Sequence, residues 1–321
     1  MKEHFAELAT RMRAEKGHSQ LKVFLRFSLF TLLCAVLFSS TIVFPQQSST
    51  DGAELLELGR AATLVSAPKA PAEIKIVSYN IRWRGGDDLE TLINLLKNDS
   101  EIAGASILGL QEVDRNKRRT KNINTVKAIA EKLGHHYAWA SPPKVKSGKE
   151  EETGVAILSS YPLMEVRRIL LPNPGPGRRR RVALGATIEI AGTPMRVYSV
   201  HSENRIPVDE KLEQTKAVLE DLDTFPKHMR AIIMGDLNTW EPSSVKKTSE
   251  LFSRESFTTP IENDKSTFLQ TVLFVPIKFK LDWIWLRGLE ATSHGIDKKV
   301  GLSDHWPLWV VVGVKPSVKT K

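Results

Sequence analysis

The chain has 321 residues, of which 41% are hydrophobic and 26% charged, with 19 glycines and 17 prolines. This composition excludes collagen-like, mucin-like and wholly disordered chains, and the length allows one large domain or two modest ones. The formal charge of +9 suits an anionic partner without choosing among phosphate esters, nucleic acids and lipid headgroups, and the single cysteine, Cys34, excludes a disulfide framework or a multi-cysteine zinc site.

In chain order, residues 1–26 form a basic tail carrying Lys2, Arg11, Arg13, Lys16, Lys22 and Arg26 against Glu3, Glu7 and Glu15. Residues 27–44 (FSLFTLLCAVLFSSTIVF) hold no charge, and 13 of the 18 are apolar. At 1.5 Å rise per residue this is near the short end for crossing a hydrocarbon core of ~30 Å. The basic residues before it place that side in the cytoplasm, which puts the rest of the chain outside. The reading is a single-pass signal anchor with an extracytoplasmic (periplasmic or extracellular) main domain. A cleaved signal peptide and a buried core helix are the alternatives, and Phe44-Pro45-Gln46-Gln47 offers no small-x-small cleavage site. Residues 45–72 read as a linker with a short helix near Glu54–Arg60.

Residues 73–321 keep 38 basic against 31 acidic residues. Strand spacing marks residues 74–81, 106–110, 154–159, 182–190, 195–200, 231–234, 281–286 and 309–314. Helical stripes mark residues 88–97, the segment through Leu133 with Asn122 as N-cap and Gly134 as terminator, and Leu212–Phe225 after Pro207. The strands are near-continuous apolar runs, so their sheets are covered on both faces. The tight turn at Ala191–Pro194 implies antiparallel neighbours. These features predict one α/β domain with mixed sheets and helices outside. The apolar stretch Leu269–Phe279 reads as a strand pair inside the fold; the alternative is an exposed apolar hairpin.

Polar residues cluster where strands stop: Asn80, Glu112, His201, Asp236, Asn238, Asp282, Asp304 and His305. Loops at strand ends are where a rigid scaffold presents a site. Their oxygen ligands suit a hard divalent cation, and the two histidines with spare carboxylates suit acid–base work. Together with the basic charge, they point to cleavage of a phosphate ester. Two basic runs, Arg115–Lys121 and Arg178–Arg181, read either as an electrostatic funnel for a polyanion or as solvated loops.

The segments VSYNI (77–81), LQEVD (110–114), ETGVAILSSYP (152–162), VYSVHS (197–202), IIMGDLN (232–238), LDWIW (281–285) and GLSDHWP (301–307) resemble the endonuclease/exonuclease/phosphatase superfamily, the deoxyribonuclease-like phosphoesterases. The resemblance implies a four-layer sandwich of two packed, mixed, mostly antiparallel sheets flanked by helices. It implies Mg2+ (or Mn2+) held by Asn80 and Glu112 with support from Asp304. By the same resemblance, Asp236 positions or deprotonates water, Asn238 binds the phosphate or the nucleophile, and His305, oriented by Asp282, contacts the scissile phosphate. His201 and Glu152 are similar to a second His–Glu dyad, and Arg181 to a substrate-phosphate contact. The general base stays open among His305, His201 and Asp236. The implied reaction is in-line attack of water on a phosphodiester. A nuclease is favoured by the charge, and a lipid phosphodiesterase or phosphatase is the alternative. A non-catalytic scaffold is disfavoured because every motif position holds a competent side chain. Nothing in the sequence points to a protein partner.

Overall fold

A computed structural model describes residues 55–67, 69, 71–143 and 152–314. The predicted tail, the membrane anchor and residues 45–54 of the linker lie outside the described residues. Among the described residues no helix is long and apolar enough to cross a membrane.

Fourteen strands run β1 (Leu56–Arg60), β2 (Glu73–Asn80), β3 (Ile107–Arg115), β4 (His136–Ala140), β5 (Glu152–Ser159), β6 (Met164–Leu170), β7 (Val182–Ile190), β8 (Thr193–His201), β9 (Arg230–Asp236), β10 (Phe268–Val272), β11 (Val275–Phe279), β12 (Asp282–Arg287), β13 (Ala291–Ile296) and β14 (Leu308–Gly313) among the described residues. Seven form one sheet in the order β1-β4-β5-β3-β2-β14-β13, and five form a second in the order β12-β9-β8-β7-β6. Only β2–β3 and β8–β9 are parallel; the other paired strands are antiparallel. The helices are α1 (Asp87–Asn98), α2 (Thr125–Leu133), α3 (Val208–Asp223) and α4 (Pro242–Arg254).

Strand periodicity explains the layering, because successive residues face opposite sides. In β2, Ile74 and Ile76 enter the seam between the sheets, while Val77 and Tyr79 face the helices of the first layer. The seam joins Ile76, Ile107 and Ile157 to Val197, Ile232 and Ile284 from the other sheet, all fully buried. Each such side chain contributes about 1.5–3 kcal/mol on burial. Leu92 and Leu96 of α1 and Val126 and Ile129 of α2 cover one outer face. Val218 and Leu222 of α3 and Phe252 of α4 cover the other. The result is the helix–sheet–sheet–helix order expected from the sequence.

Three local expectations are corrected. The segment expected as a short helix in the linker is edge strand β1, antiparallel to β4. Gly59 suits a strand there, because a Cβ would lie 2.5 Å from the Tyr137 ring. Glu57 ties the strand down through Tyr137, Asn124 and Arg115. The N-cap of α2 is Asn124, whose side chain accepts the Lys127 N–H at 3.2 Å, and not Asn122. The strand pair expected inside the fold is an outlying hairpin: β10 and β11 form a separate two-stranded sheet, joined at its base to the His305 loop by the Phe268–His305 bridge and mostly exposed toward its turn. Its turn residues Leu273 and Phe274 are 87% and 97% exposed.

Candidate active site at the polar end of the seam

The seam faces of the strands are apolar along most of their length and turn polar at one end. Along β2 the sequence of seam residues is Ile74, Ile76, Ser78, Asn80, and along β9 it is Ile232, Met234, Asp236. Strand register then aligns the groups. Asp236 lies opposite Asp282 on β12 and opposite His201 on β8, so three titratable side chains form one row across a sheet. Gly235 makes this row possible. Its φ is +137°, and a Cβ there would fall 2.0 Å from the Val200 carbonyl oxygen, so no other residue fits before Asp236.

The floor of the site is a closed set of partners. His305 Nδ1 lies 2.8 and 3.1 Å from the two oxygens of Asp282, and Asp282 accepts a further bond from the Thr267 hydroxyl at 2.7 Å. That hydroxyl in turn accepts the backbone N–H groups of Leu281 and Asp282. Asp236 accepts from Asn80 Nδ2 at 3.1 Å and from the Asn238 N–H at 3.0 Å. Asn238 is held in a left-handed conformation, φ +53°. Its amide donates to the Ser202 carbonyl, and its own carbonyl accepts from Lys211 Nζ at 3.0 Å. The Nε2 atoms of His201 and His305 lie 3.6 and 3.7 Å from Asp236 Oδ2.

Glu112 is presented differently. A register shift between Gln111 and Val113 makes a bulge in β3, and Glu112 within it has φ +55°. Bulges of this kind re-aim a side chain out of the strand's alternation. Glu112 Oε2 is buried and has no hydrogen-bond partner. Such an orphaned carboxylate oxygen is costly unless a cation completes it. Asn80 Oδ1, which accepts the Arg82 N–H at 3.2 Å, keeps a second lone pair. These two oxygens fit a hard divalent ion. Ligand atoms of Asp236, Asp282 and His305 also lie within 4.8 Å of one another. Both Asp282 oxygens face His305 Nδ1, so Glu112 is the better-suited anchor. Asp304 sits at the rim, bound to Arg82 at 3.0 Å and to the Ser303 hydroxyl.

The two histidines are pushed in opposite directions. Burial works against the charged form of His305, but the carboxylates of Asp282 and Asp236 outweigh it and raise its pKa. Burial and then the Arg181, His305 and Arg179 charges hold the His201 pKa well below its usual range, which favours the neutral ring. Arg181 also fixes its tautomer. The guanidinium lies 3.3 Å from His201 Nδ1, and arginine only donates, so Nδ1 accepts and the ring proton sits on Nε2, toward the site. Burial raises the pKa of Asp236, an effect that the His305 charge opposes and Asp282 adds to.

Arg181 and Glu152 stand behind the row. Arg181 donates to Glu203 at 3.1 Å as well as to His201, which makes it an orienting group. Glu152 opens β5 and pairs with Arg115 at 2.6 Å. A cavity of about 340 Å³ lies beside the row, lined by Glu112, Glu152, Trp83, Lys117, Arg180 and Arg181 among others.

Three contributors escape the strand-end pattern. Glu203, fully buried, pairs with Arg179 and Arg181. Its signal was a carboxylate two residues after His201, close to an arginine run. Lys211 supports the Asn238 loop, and its signal was a lone lysine on the helical face shared with Thr215, Val218 and Leu222. Thr267, which fixes Asp282, carries no signal in the sequence.

The sequence profile of the Endonuclease/Exonuclease/phosphatase family matches residues 77–305. No curated protein matches the chain. Among solved structures, an endonuclease/exonuclease/phosphatase family protein from Leptotrichia buccalis superposes with TM-score 0.58 at 17% identity, covering 75% of this chain and 100% of that one. The human Nocturnin catalytic domain with bound sulfate gives 0.57 at 16% identity, covering 76% and 94%. The D. rerio TDP2 complex with single-strand DNA product gives 0.58 at 16%, covering 76% and 100%. At these identities the neighbours speak for the fold, and the profile speaks for the family. The chain belongs to the endonuclease/exonuclease/phosphatase family and is a phosphoester hydrolase.

Proposed function

We propose that the enzyme hydrolyses a phosphodiester in nucleic acid by in-line attack of water, using Mg2+ or Mn2+ held at Glu112 and Asn80. The observation that carries this reading is the placing of two imidazoles against one buried carboxylate, with His201 Nε2 and His305 Nε2 3.6 and 3.7 Å from Asp236 Oδ2, one ring beside arginines and the other beside Asp282. Neighbouring groups with pKa values driven apart are how acid and base roles are divided. The His201 tautomer removes this residue from the candidates for general base, because its site-facing nitrogen already bears a proton. His201 Nε2–H and the His305 imidazolium are both donors, suited to non-bridging phosphoryl oxygens as negative charge grows there. Asp236 Oδ2, between them, takes the proton of the attacking water. Asp282 holds His305 in orientation and favours its charged form, the service a buried aspartate gives a catalytic histidine elsewhere. A bound divalent ion supplies Lewis-acid polarisation of a phosphoryl oxygen and charge for the leaving alkoxide.

The test is hydrolysis of a single-stranded oligonucleotide and of bis(p-nitrophenyl) phosphate with Mg2+, Mn2+ or EDTA. Metal-dependent cleavage of both is expected. Cleavage of neither would overturn the reading.

A lipid diester is the second reading, and the hairpin favours it. Val272, Leu273, Phe274 and Val275 are 42%, 87%, 97% and 60% exposed. The turn residues Leu273 and Phe274 have φ +47° and +68°, a geometry usually given to Asn or Gly. The hairpin's base holds the catalytic loop: Phe268 packs edge-on against His305 at 4.9 Å, and the Leu269 N–H donates to the Asp304 carbonyl. An apolar tip suits insertion into a bilayer, toward which the proposed anchor at 27–44 would hold an extracytoplasmic domain. Sedimentation with anionic vesicles separates the readings. Binding that Phe274→Asp abolishes, with turnover of a phospholipid and none of an oligonucleotide, would install the lipid in place of the nucleic acid.

A further inference from the structure

The cavity beside Glu112 is lined by five cations: Lys117, Arg119, Arg179, Arg180 and Arg181. Three of them are already neutralised within the protein. Arg119 grips Asp114 through two bonds of 2.6 and 2.9 Å. Arg179 and Arg181 share Glu203. Lys117 and Arg180 differ. Each is half-buried, and among the described residues neither side chain has a hydrogen-bond or ion-pair partner. They come from separate segments, one after β3 and one before β7, yet line the same space. Two cations that line one cavity beside Glu112, neither bonded to a protein group among the described residues, keep their donors free for an anion.

The walls say which feature of a ligand is read. Trp83 faces the cavity, but the Arg119 guanidinium lies 3.9 Å from its ring centroid and Arg82 lies 5.4 Å away. The indole is therefore engaged by cations, with 37% of the residue still exposed. Pro142 and Pro143 add no donors. What the cavity offers is charge. Its volume of about 340 Å³ suits a single phosphorylated unit, and Glu112 opens onto the same space.

We propose that this cavity is a second-phosphate subsite, in which Lys117 and Arg180 bind the phosphate next to the one being cleaved. The proposal deepens the nuclease reading and rests on it for the position of the scissile phosphate. It makes the preferred substrate one with two phosphates a single unit apart.

Thymidine dinucleotides test it: TpT with one phosphate, and pTpT and TpTp with a second on either side. The expected result is a KM about tenfold lower for pTpT or TpTp than for TpT, the scale of a charge-assisted contact. Lys117→Ala/Arg180→Ala should erase that preference, Arg180→Lys should retain part of it, and the preference should shrink with added salt. Equal KM values for all three in the wild type, or a preference that survives in the double variant, would overturn the proposal. Equilibrium binding of the three dinucleotides to Asp236→Ala protein gives the same comparison without turnover. Hydrolysis of bis(p-nitrophenyl) phosphate, which has one phosphate, reports separately on the catalytic reading. If that fails while pTpT or TpTp still binds more tightly than TpT, the hydrolase assignment falls and the subsite stands. If it succeeds and all three bind alike, the subsite falls.

Discussion

Around Asp236 the carboxylates are bonded to neighbouring groups, whereas at Glu112 a buried carboxylate oxygen is left open. Asp236, Asp282, His305, Asn80 and Asn238 bond to one another, to the Thr267 hydroxyl or to backbone at 2.7–3.1 Å. Glu112 Oε2 is buried without a partner, and Lys117 and Arg180 line a cavity with no hydrogen-bond or ion-pair partner among the described residues. A set of groups that act as donors and acceptors in the transition state gains from being fixed beforehand, because no reorganisation is then required during reaction. Groups that bind an ion or a substrate charge must keep capacity free. The floor is thus built to perform chemistry, and the wall is built to be completed.

This contrast is broken most severely at its centre. Asp236→Ala removes the proton acceptor and the group between both imidazoles, and kcat should fall by on the order of 10³-fold or more. The protein should stay folded by circular dichroism, since burial already disfavours the charged carboxylate. Turnover within tenfold of wild type would show that the row is not the site. The wall fails differently. Glu112→Gln keeps the shape but removes the anionic oxygen, so the divalent-ion concentration for half-maximal activity should rise about 10–100-fold, with part of the activity recovered at saturating metal. EDTA should abolish wild-type activity. A variant with unchanged metal dependence would move the ion elsewhere.

Arg181 lies where the two plans meet. Removing its charge in Arg181→Met lifts one of the effects that lower the His201 pKa, so that pKa should rise, and it frees Nδ1. The expected loss is about tenfold in kcat, with the second tautomer of His201 appearing in nitrogen NMR shifts. An unchanged His201 spectrum would mean that Arg181 does not set the tautomer.

How much of this was legible in the sequence depended on periodicity. Asn80, Asp236 and Asp282 end strands on the seam face, so alternation and strand ends were enough to bring them together. The motif blocks carried the order of the layers as well. The free state of Glu112 was not legible, because it comes from a bulge that breaks alternation. Glu203 and Lys211 were hidden because each acts through a neighbour, one through an arginine and one through a backbone carbonyl. The hairpin misled for a physical reason: LQTVLFVPIKF has the apolar pattern of a buried strand pair, and pattern does not reveal that its turn stands exposed. Strand β1 was missed because its pairing depends on β4, far along the chain.

Lys280 sharpens the comparison, because it is an orphan on the satisfied side. Its ammonium is buried without a hydrogen-bond partner and lies 4.5 Å over the Trp283 ring, beneath the Asp282 strand. Unlike Lys117 and Arg180, it lines neither the cavity beside Glu112 nor the small one beside His201. If an orphaned charge is kept only where a ligand awaits it, Lys280 should be neutral to stability; if it is an uncompensated burial, its removal should stabilise. Burial lowers its pKa from 10.5 to about 8, against the pull of Asp282, Asp264 and Glu262. A lysine whose folded pKa lies below its unfolded value binds fewer protons folded than unfolded between the two, so stability rises with pH across that window. Below about pH 8 the penalty is fully present. Lys280→Met should therefore raise stability at pH 7 by about 1–3 kcal/mol, with a gain that shrinks as pH climbs toward 10.5 and with little change in kcat. Urea denaturation at pH 7 and pH 10 reads both. A destabilised variant at pH 7, or a gain independent of pH, would show that the ammonium has a compensating partner and that the floor is as closed at Lys280 as it is at Asp236.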